Sequence, residues 1–196
     1  MPELMPGIEY EELPQIVYEG LFTDCACLLW KPTSTYGKLI ANATLGPFSH
    51  ATMALKWDDT IMSVGFEEKR GAVCEPLSNL VARYPGIISV FEPTNGVDRA
   101  AIKSYAIRNL VGDYKWANIR LIGLLQLPLT KLFFPAFVKR RIAAASHRTG
   151  GGICSQWVAR AYGENGTTLI HKPYTITTPN DLGMSPNLEY IGTLVN

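Results

Sequence analysis

The sequence predicts an α+β fold, with mainly antiparallel strands between residues 25 and 91 and helices prominent beyond them. Three observations carry this. His50-Ala51-Thr52-Met53-Ala54-Leu55-Lys56 alternates as a strand, Asp58-Asp59 turns, and Thr60 to Phe66 returns, which makes a hairpin. Ile102, Tyr105, Ala106 and Leu110 share one helical face behind Asp98. Trp157, Val158 and Ala161 recur at helical spacing just after the run Gly150-Gly151-Gly152-Ile153-Cys154.

The remaining elements follow in order. Residues 1–22 read as an irregular lead-in, rich in glutamate (Glu3, Glu9, Glu11, Glu12, Glu19) and broken by Pro2, Pro6 and Pro14. Cys25 to Trp30 is a compact apolar run, a buried strand ended by Pro32 and the polar Thr33-Ser34-Thr35-Tyr36-Gly37. Residues 38–45 suit a helical turn, closed by Gly46-Pro47. After the hairpin come a short strand from Gly71 to Cys74, a short helix from Pro76 to Ala82, and a strand from Ile87 to Phe91. Asn95-Gly96 turns the chain and Gly112 stops the Asp98 helix. Residues 119–138 are the most apolar stretch, but Arg120, Pro128, Lys131 and Pro135 interrupt it, so no spanning helix is expected. Residues 119–150 are read as an apolar insertion and loop before the cysteine. Gly163 is expected just past the end of the Cys154 helix. Thr178 and Pro179 fit the N-cap and first position of a further helical turn, which Gly183 ends, and Tyr190 to Val195 closes the chain as a strand. No repeat or linker divides the chain, so one domain over 1–196 is expected.

Composition excludes some functions. A net charge of +1 leaves no electrostatic footprint for nucleic acid. Met1-Pro2-Glu3-Leu4-Met5-Pro6 has neither the basic nor the apolar region of a secretory signal. With four cysteines, this points to reduced thiols in a cytoplasmic protein. Cys25 and Cys27 have no second pair and no nearby histidine, so neither a zinc site nor any cofactor is expected.

Cys154 is the centre of the chemical reading. At a helix start the unpaired N–H groups and the dipole favour thiolate over thiol. The glycines before it, Gly152 included, let the backbone approach a substrate closely. The competing reading is a small buried cysteine on a core helix. A nucleophilic cysteine needs a base within hydrogen-bond reach and a group to orient that base. Of the three histidines, His50 opens a strand, His147 lies in a polar loop, and His171 stands two residues before Pro173. His50 is the preferred base. Alternation puts it on one face with Thr52 and Ala54, with Ala51, Met53 and Leu55 on the other.

These residues carry a resemblance. Phe48-Ser49-His50-Ala51-Thr52-Met53-Ala54-Leu55 resembles the "ySHv-x-I" strand of the circularly permuted NlpC-type papain-like cysteine hydrolases, the YiiX/YebB-like group. Ile153-Cys154-Ser155-Gln156-Trp157-Val158-Ala159-Arg160-Ala161-Tyr162 is similar to its "yCSeLV-x-x-aY" nucleophile helix. Asp24 to Trp30, Gly71 to Leu80, Gly112-Asp113-Tyr114 and Thr178-Pro179-Asn180-Asp181-Leu182 resemble four further segments of that group, in order. His50 precedes Cys154, which is the permuted order. The resemblance implies an α+β, permuted papain-like fold, with an antiparallel sheet carrying the histidine packed against a helix carrying the cysteine. It also implies cleavage of an amide, ester or thioester through an acyl-enzyme. Cys154 would attack, His50 would take and return the proton, and the Cys154 N–H would help hold the oxyanion. Gly152, Ser155 and Gln156 are the flanking candidates for oxyanion and substrate binding.

Two positions depart from the group's pattern. Its acidic residue on the strand after the histidine strand corresponds to Ser63. Glu67 lies on the same strand face and is the preferred orienting residue, with Ser63 second; a solvated Glu67-Glu68-Lys69-Arg70 turn is the competing reading. Gln156 replaces the glutamate usual after Cys-Ser. The expected activity is a cysteine amidase or peptidase acting on a small peptide-like substrate, such as a cell-wall peptide. The alternatives are a lipid-directed thiol hydrolase or acyltransferase, with residues 119–141 as a peripheral membrane contact through Lys139-Arg140-Arg141, and a non-catalytic binding module.

Overall fold

A computed structural model of the chain describes residues 12–13, 23–68, 70–94, 96–111 and 154–195. The apolar stretch 119–138, Lys139-Arg140-Arg141, His147, Gly112 and the glycines before Cys154 lie outside the described residues. Seven strands form one sheet: β1 (Glu12–Leu13), β2 (Ala26–Trp30), β3 (His50–Trp57), β4 (Thr60–Glu67), β5 (Gly71–Pro76), β6 (Ile88–Pro93) and β7 (Leu188–Leu194). Their order is β1-β7-β6-β2-β3-β4-β5. Strands β2 to β7 pair antiparallel, as expected, and β1 joins β7 in parallel. The lead-in is therefore not wholly irregular. Its backbone at Glu12–Leu13 satisfies the outer edge of β7, which would otherwise present unpaired N–H and C=O groups.

Five α-helices complete the described fold: α1 (Thr35–Ala43), α2 (Leu77–Arg83), α3 (Arg99–Arg108), α4 (Cys154–Gly163) and α5 (Pro179–Gly183). Helix α1 begins earlier than the expected turn at 38–45, because Ser34 caps it by accepting from the Gly37 N–H at 3.0 Å. Asp98 caps α3 through the Ala101 N–H at 2.9 Å. Thr178 caps α5 ahead of Pro179, and Asp181 completes a capping box. Helix α4 runs through Gly163 rather than stopping before it, and the left-handed residue comes later, at Gly166 with φ +83°. Glycine still matters at 163, since a Cβ there would run into the Tyr174 hydroxyl.

Strand alternation divides the core in two. Cys27, Leu29, Ala51, Met53, Leu55, Val64 and Phe66 pack with Ile102 and Ala106 of α3 and with Trp157, Val158 and Tyr162 of α4. Ala26, Leu28, Trp30, Ala54 and Val90 pack with Leu77, Leu80 and Val81 of α2 on the opposite face. The register aligns each set, with Cys27 beside Met53 and Met53 beside Val64. Each fully buried large aliphatic side chain here contributes about 1.5–3 kcal/mol. Among the described residues no helix is long and apolar enough to cross a membrane.

Candidate active site

Cys154 is the first residue of α4 and only 2 % exposed. The helix packs across β3 and β4, with Trp157 set edge-on to Phe66 at 6.1 Å. Hydrogen bonds fix both ends of it. Ser155 Oγ donates to the Thr177 carbonyl at 2.8 Å, and the Gln156 side-chain amide donates to the Thr175 carbonyl. The Tyr162 hydroxyl donates to the Cys25 carbonyl. Ser155 and Gln156, expected to bind substrate or oxyanion, thus spend their side chains on holding the helix. Backbone N–H groups at its start are what they can still offer an anion.

The other thiols are poorly poised as nucleophiles. Burial, and then the nearby Cys154 thiol, push Cys27 well up. Burial first, then Asp24, pushes Cys25 up to about 12. Cys74 is exposed, yet partial burial and Glu75 raise it too.

His50 opens β3 on the α2 face. Its ring lies tilted against Trp30, with centroids 5.9 Å apart. Desolvation lowers the imidazole to about 4, so it is neutral at pH 7. Its Nε2 is sealed from solvent and has no hydrogen-bond partner among the described residues. Beside it, Thr52 Oγ1 accepts from both the Trp30 indole N–H and Ser63 Oγ, each at 3.0 Å. Ser63 is buried and its hydroxyl is committed to Thr52.

Glu67 lies at the end of β4, on the same face as His50. The β3–β4 register that pairs Met53 with Val64, continued toward the strand start, carries Glu67 opposite His50. Both line an open cleft of about 540 Å³, walled by Trp30, Tyr36, Leu80 and Tyr84. The Glu67 carboxylate, however, accepts from Arg70 Nη1 at 3.2 Å, and Arg70 also reaches Glu75, which in turn holds Arg83. This exposed ion-pair chain is much like the turn that competed with Glu67 in the sequence.

The fold thus packs the helix that begins with Cys154 against the strand that begins with His50. It does not supply the hydrogen bonds of a closed triad: neither the Cys154 thiol nor Glu67 nor Ser63 bonds His50 Nε2. His171 lies exposed in a loop, and His147 and Gly152 are outside the described residues. Sequence reading missed the aromatic wall of Trp30 and Tyr84, which only the pairing of β2 and β3 with α2 assembles. It also missed Asn180. That residue sits inside the Thr178-Pro179-Asn180-Asp181 turn, but its partners lie far away in the chain.

No protein family and no curated protein matches the sequence. Among solved structures, the chain is similar to the crystal structure of metalloprotein YiiX from Escherichia coli. The TM-score is 0.62 at 15 % identity, covering 90 % of this chain and 99 % of that one. Among the described residues here, no three His, Cys, Asp or Glu side chains gather as metal ligands. Such a likeness speaks to architecture, and the α+β arrangement of sheet and helices resembles the YiiX fold.

Proposed function

We propose that the protein is a cysteine hydrolase of the permuted papain-like kind, an amidase or peptidase acting on a small peptide-like substrate. The observation that carries this reading is His50. Its imidazole is held neutral by burial, with Nε2 unpartnered among the described residues, at the start of the strand against which the Cys154 helix packs. A neutral imidazole is the form that accepts a proton.

In the reaction the imidazole swings round the start of β3, from the α2 face to the face on which α4 begins, and takes the Cys154 proton. The thiolate attacks the carbonyl carbon and forms a C–S bond. The oxyanion is held by N–H groups at the helix start. Collapse breaks the C–N bond, and the leaving amine takes the proton from His50. Water then attacks the thioester, giving its proton to His50, and the acid and the thiol are released. Glu67 steadies the imidazolium once it leaves Arg70. A cytoplasmic setting, where thiols stay reduced, belongs to the same reading.

A second reading is a binding module on the same scaffold. It is favoured by the commitment of Ser63 to Thr52 and of Glu67 to Arg70, which leaves neither of these two residues orienting His50. Mass spectrometry of the protein after brief exposure to activated peptide esters and to acyl thioesters separates the two. Hydrolysis with an acyl adduct on Cys154, absent in Cys154→Ala, supports the hydrolase. The preferred acyl group then tells the peptide-directed form from the lipid-directed one. An intact protein that binds such compounds without adduct or turnover establishes the binding module.

A further inference from the structure

Asn180 is buried and makes three hydrogen bonds that converge on the stretch leading into His50. Its Oδ1 accepts from the Phe48 N–H at 2.8 Å. Its Nδ2 donates to the Phe48 carbonyl at 3.0 Å and to Thr44 Oγ1 at 2.6 Å. One side chain therefore binds both backbone groups of the residue two before His50. The amide fits because residue 46 is glycine; a Cβ there would strike Asn180 Oδ1. Ser49, next in the chain, donates its N–H to the Trp30 carbonyl at 3.0 Å, so the start of β3 is fixed from two sides.

The same segment grips the cysteine helix. The carbonyls of Thr175 and Thr177 receive the Gln156 amide and the Ser155 hydroxyl. The Thr178 capping box and the α5 backbone stiffen what lies between these carbonyls and Asn180. Residues 175–180 thus hold the strand of His50 at one end and the helix of Cys154 at the other. Apolar packing of α4 on β3 resists separation but is non-directional. Directional bonds of this kind can set the spacing of two side chains.

We propose that Asn180 is a positioning residue that sets the spacing of His50 and Cys154, an inference that rests on the hydrolase reading above. The test is the rate of Cys154 alkylation by iodoacetamide against pH, in the parent protein and in His50→Gln, Asn180→Ala and Thr44→Val. Asn180→Ala should slow Cys154 at neutral pH by about a hundredfold, the cost of a displacement near 1 Å, and bring its pH profile to that of His50→Gln. Thr44→Val removes only the third bond and should leave the profile unchanged. If Asn180→Ala fails to fold by circular dichroism, Ser155→Ala releases the other grip and should shift the profile the same way. A folded Asn180→Ala with the parent profile overturns the inference alone. So does a Thr44→Val effect as large as that of Asn180→Ala, and so does an unshifted Ser155→Ala where Asn180→Ala does not fold. A parent profile indifferent to His50→Gln overturns the hydrolase reading and this inference with it.

Discussion

The two faces of β3 are built to different ends. Toward α4 the strand presents Ala51, Met53 and Leu55 to a close-packed apolar core, in which Phe66 and Trp157 meet edge to face. Toward α2 it presents His50, Thr52 and Ala54, with a shared hydroxyl acceptor, an unpartnered imidazole nitrogen and an open cleft. One backbone with one period serves both. The face toward α4 anchors the Cys154 helix and carries stability, burying one unsatisfied donor, the Trp157 indole N–H, while the face toward α2 leaves an unsatisfied acceptor, His50 Nε2, beside an open cleft. Every such group costs stability, but of the four found among the described residues only His50 Nε2 belongs to a side chain of the type that titrates near neutral pH and lines the cleft.

Three experiments test the contrast, taken from the largest effect to the smallest. Trp157→Ala should cost about 3–5 kcal/mol in urea denaturation, as large-to-small changes in a packed core do. A loss below about 1 kcal/mol, the scale of a surface change, would break the picture of a sealed α4 face.

On the other face, His50 should make stability depend on acid. Its folded-state value of about 4 lies below the ordinary 6.5, so the folded protein excludes a proton that the unfolded chain binds. The stability that its neutral form supports is complete above about pH 6.5 and is lost as pH falls toward 4, by up to roughly 3 kcal/mol. Denaturation at pH 7 and pH 4.5 should show that slope in the parent protein and a shallower one in His50→Gln. Equal slopes would mean that His50 is solvated like any surface histidine.

Thr52→Val should cost about 1–3 kcal/mol, because it strands the Trp30 N–H and the Ser63 hydroxyl together. Ser63→Ala removes one of those donors without stranding another polar atom, and should cost less. The reverse order in urea midpoints would show that the Thr52 hydroxyl is not the shared acceptor.

Much of this was legible in the sequence, where signals were local. Alternation around an Asp58-Asp59 turn placed β3 and β4, with Asp58 turning the hairpin at φ +50°. Thr178 with Pro179 marked a helix start that the capping box confirms, and the placement of Cys154 at the head of a helix needed only the glycine run and the apolar spacing behind it. What stayed hidden depends on distant neighbours. The pairing of Glu12–Leu13 with β7 follows from an exposed sheet edge, which no property of two residues announces. The capture of Glu67 by Arg70, and not by His50, turns on how the β4–β5 turn folds back. Asn180 reads as an ordinary turn residue until Phe48 is seen beside it.

Whether Cys154 is a nucleophile served by His50 is decided by pH-resolved alkylation of the native protein, with the modified cysteine located by mass spectrometry. Cys74 is the internal reference, since it is exposed while its thiol is pushed up by partial burial and Glu75. Cys154 should be modified before Cys74 at pH 7 despite its burial, and His50→Gln should slow Cys154 while leaving Cys74 unchanged. Modification of Cys74 first, with Cys154 silent across the pH range in which the protein stays folded, would contradict that role.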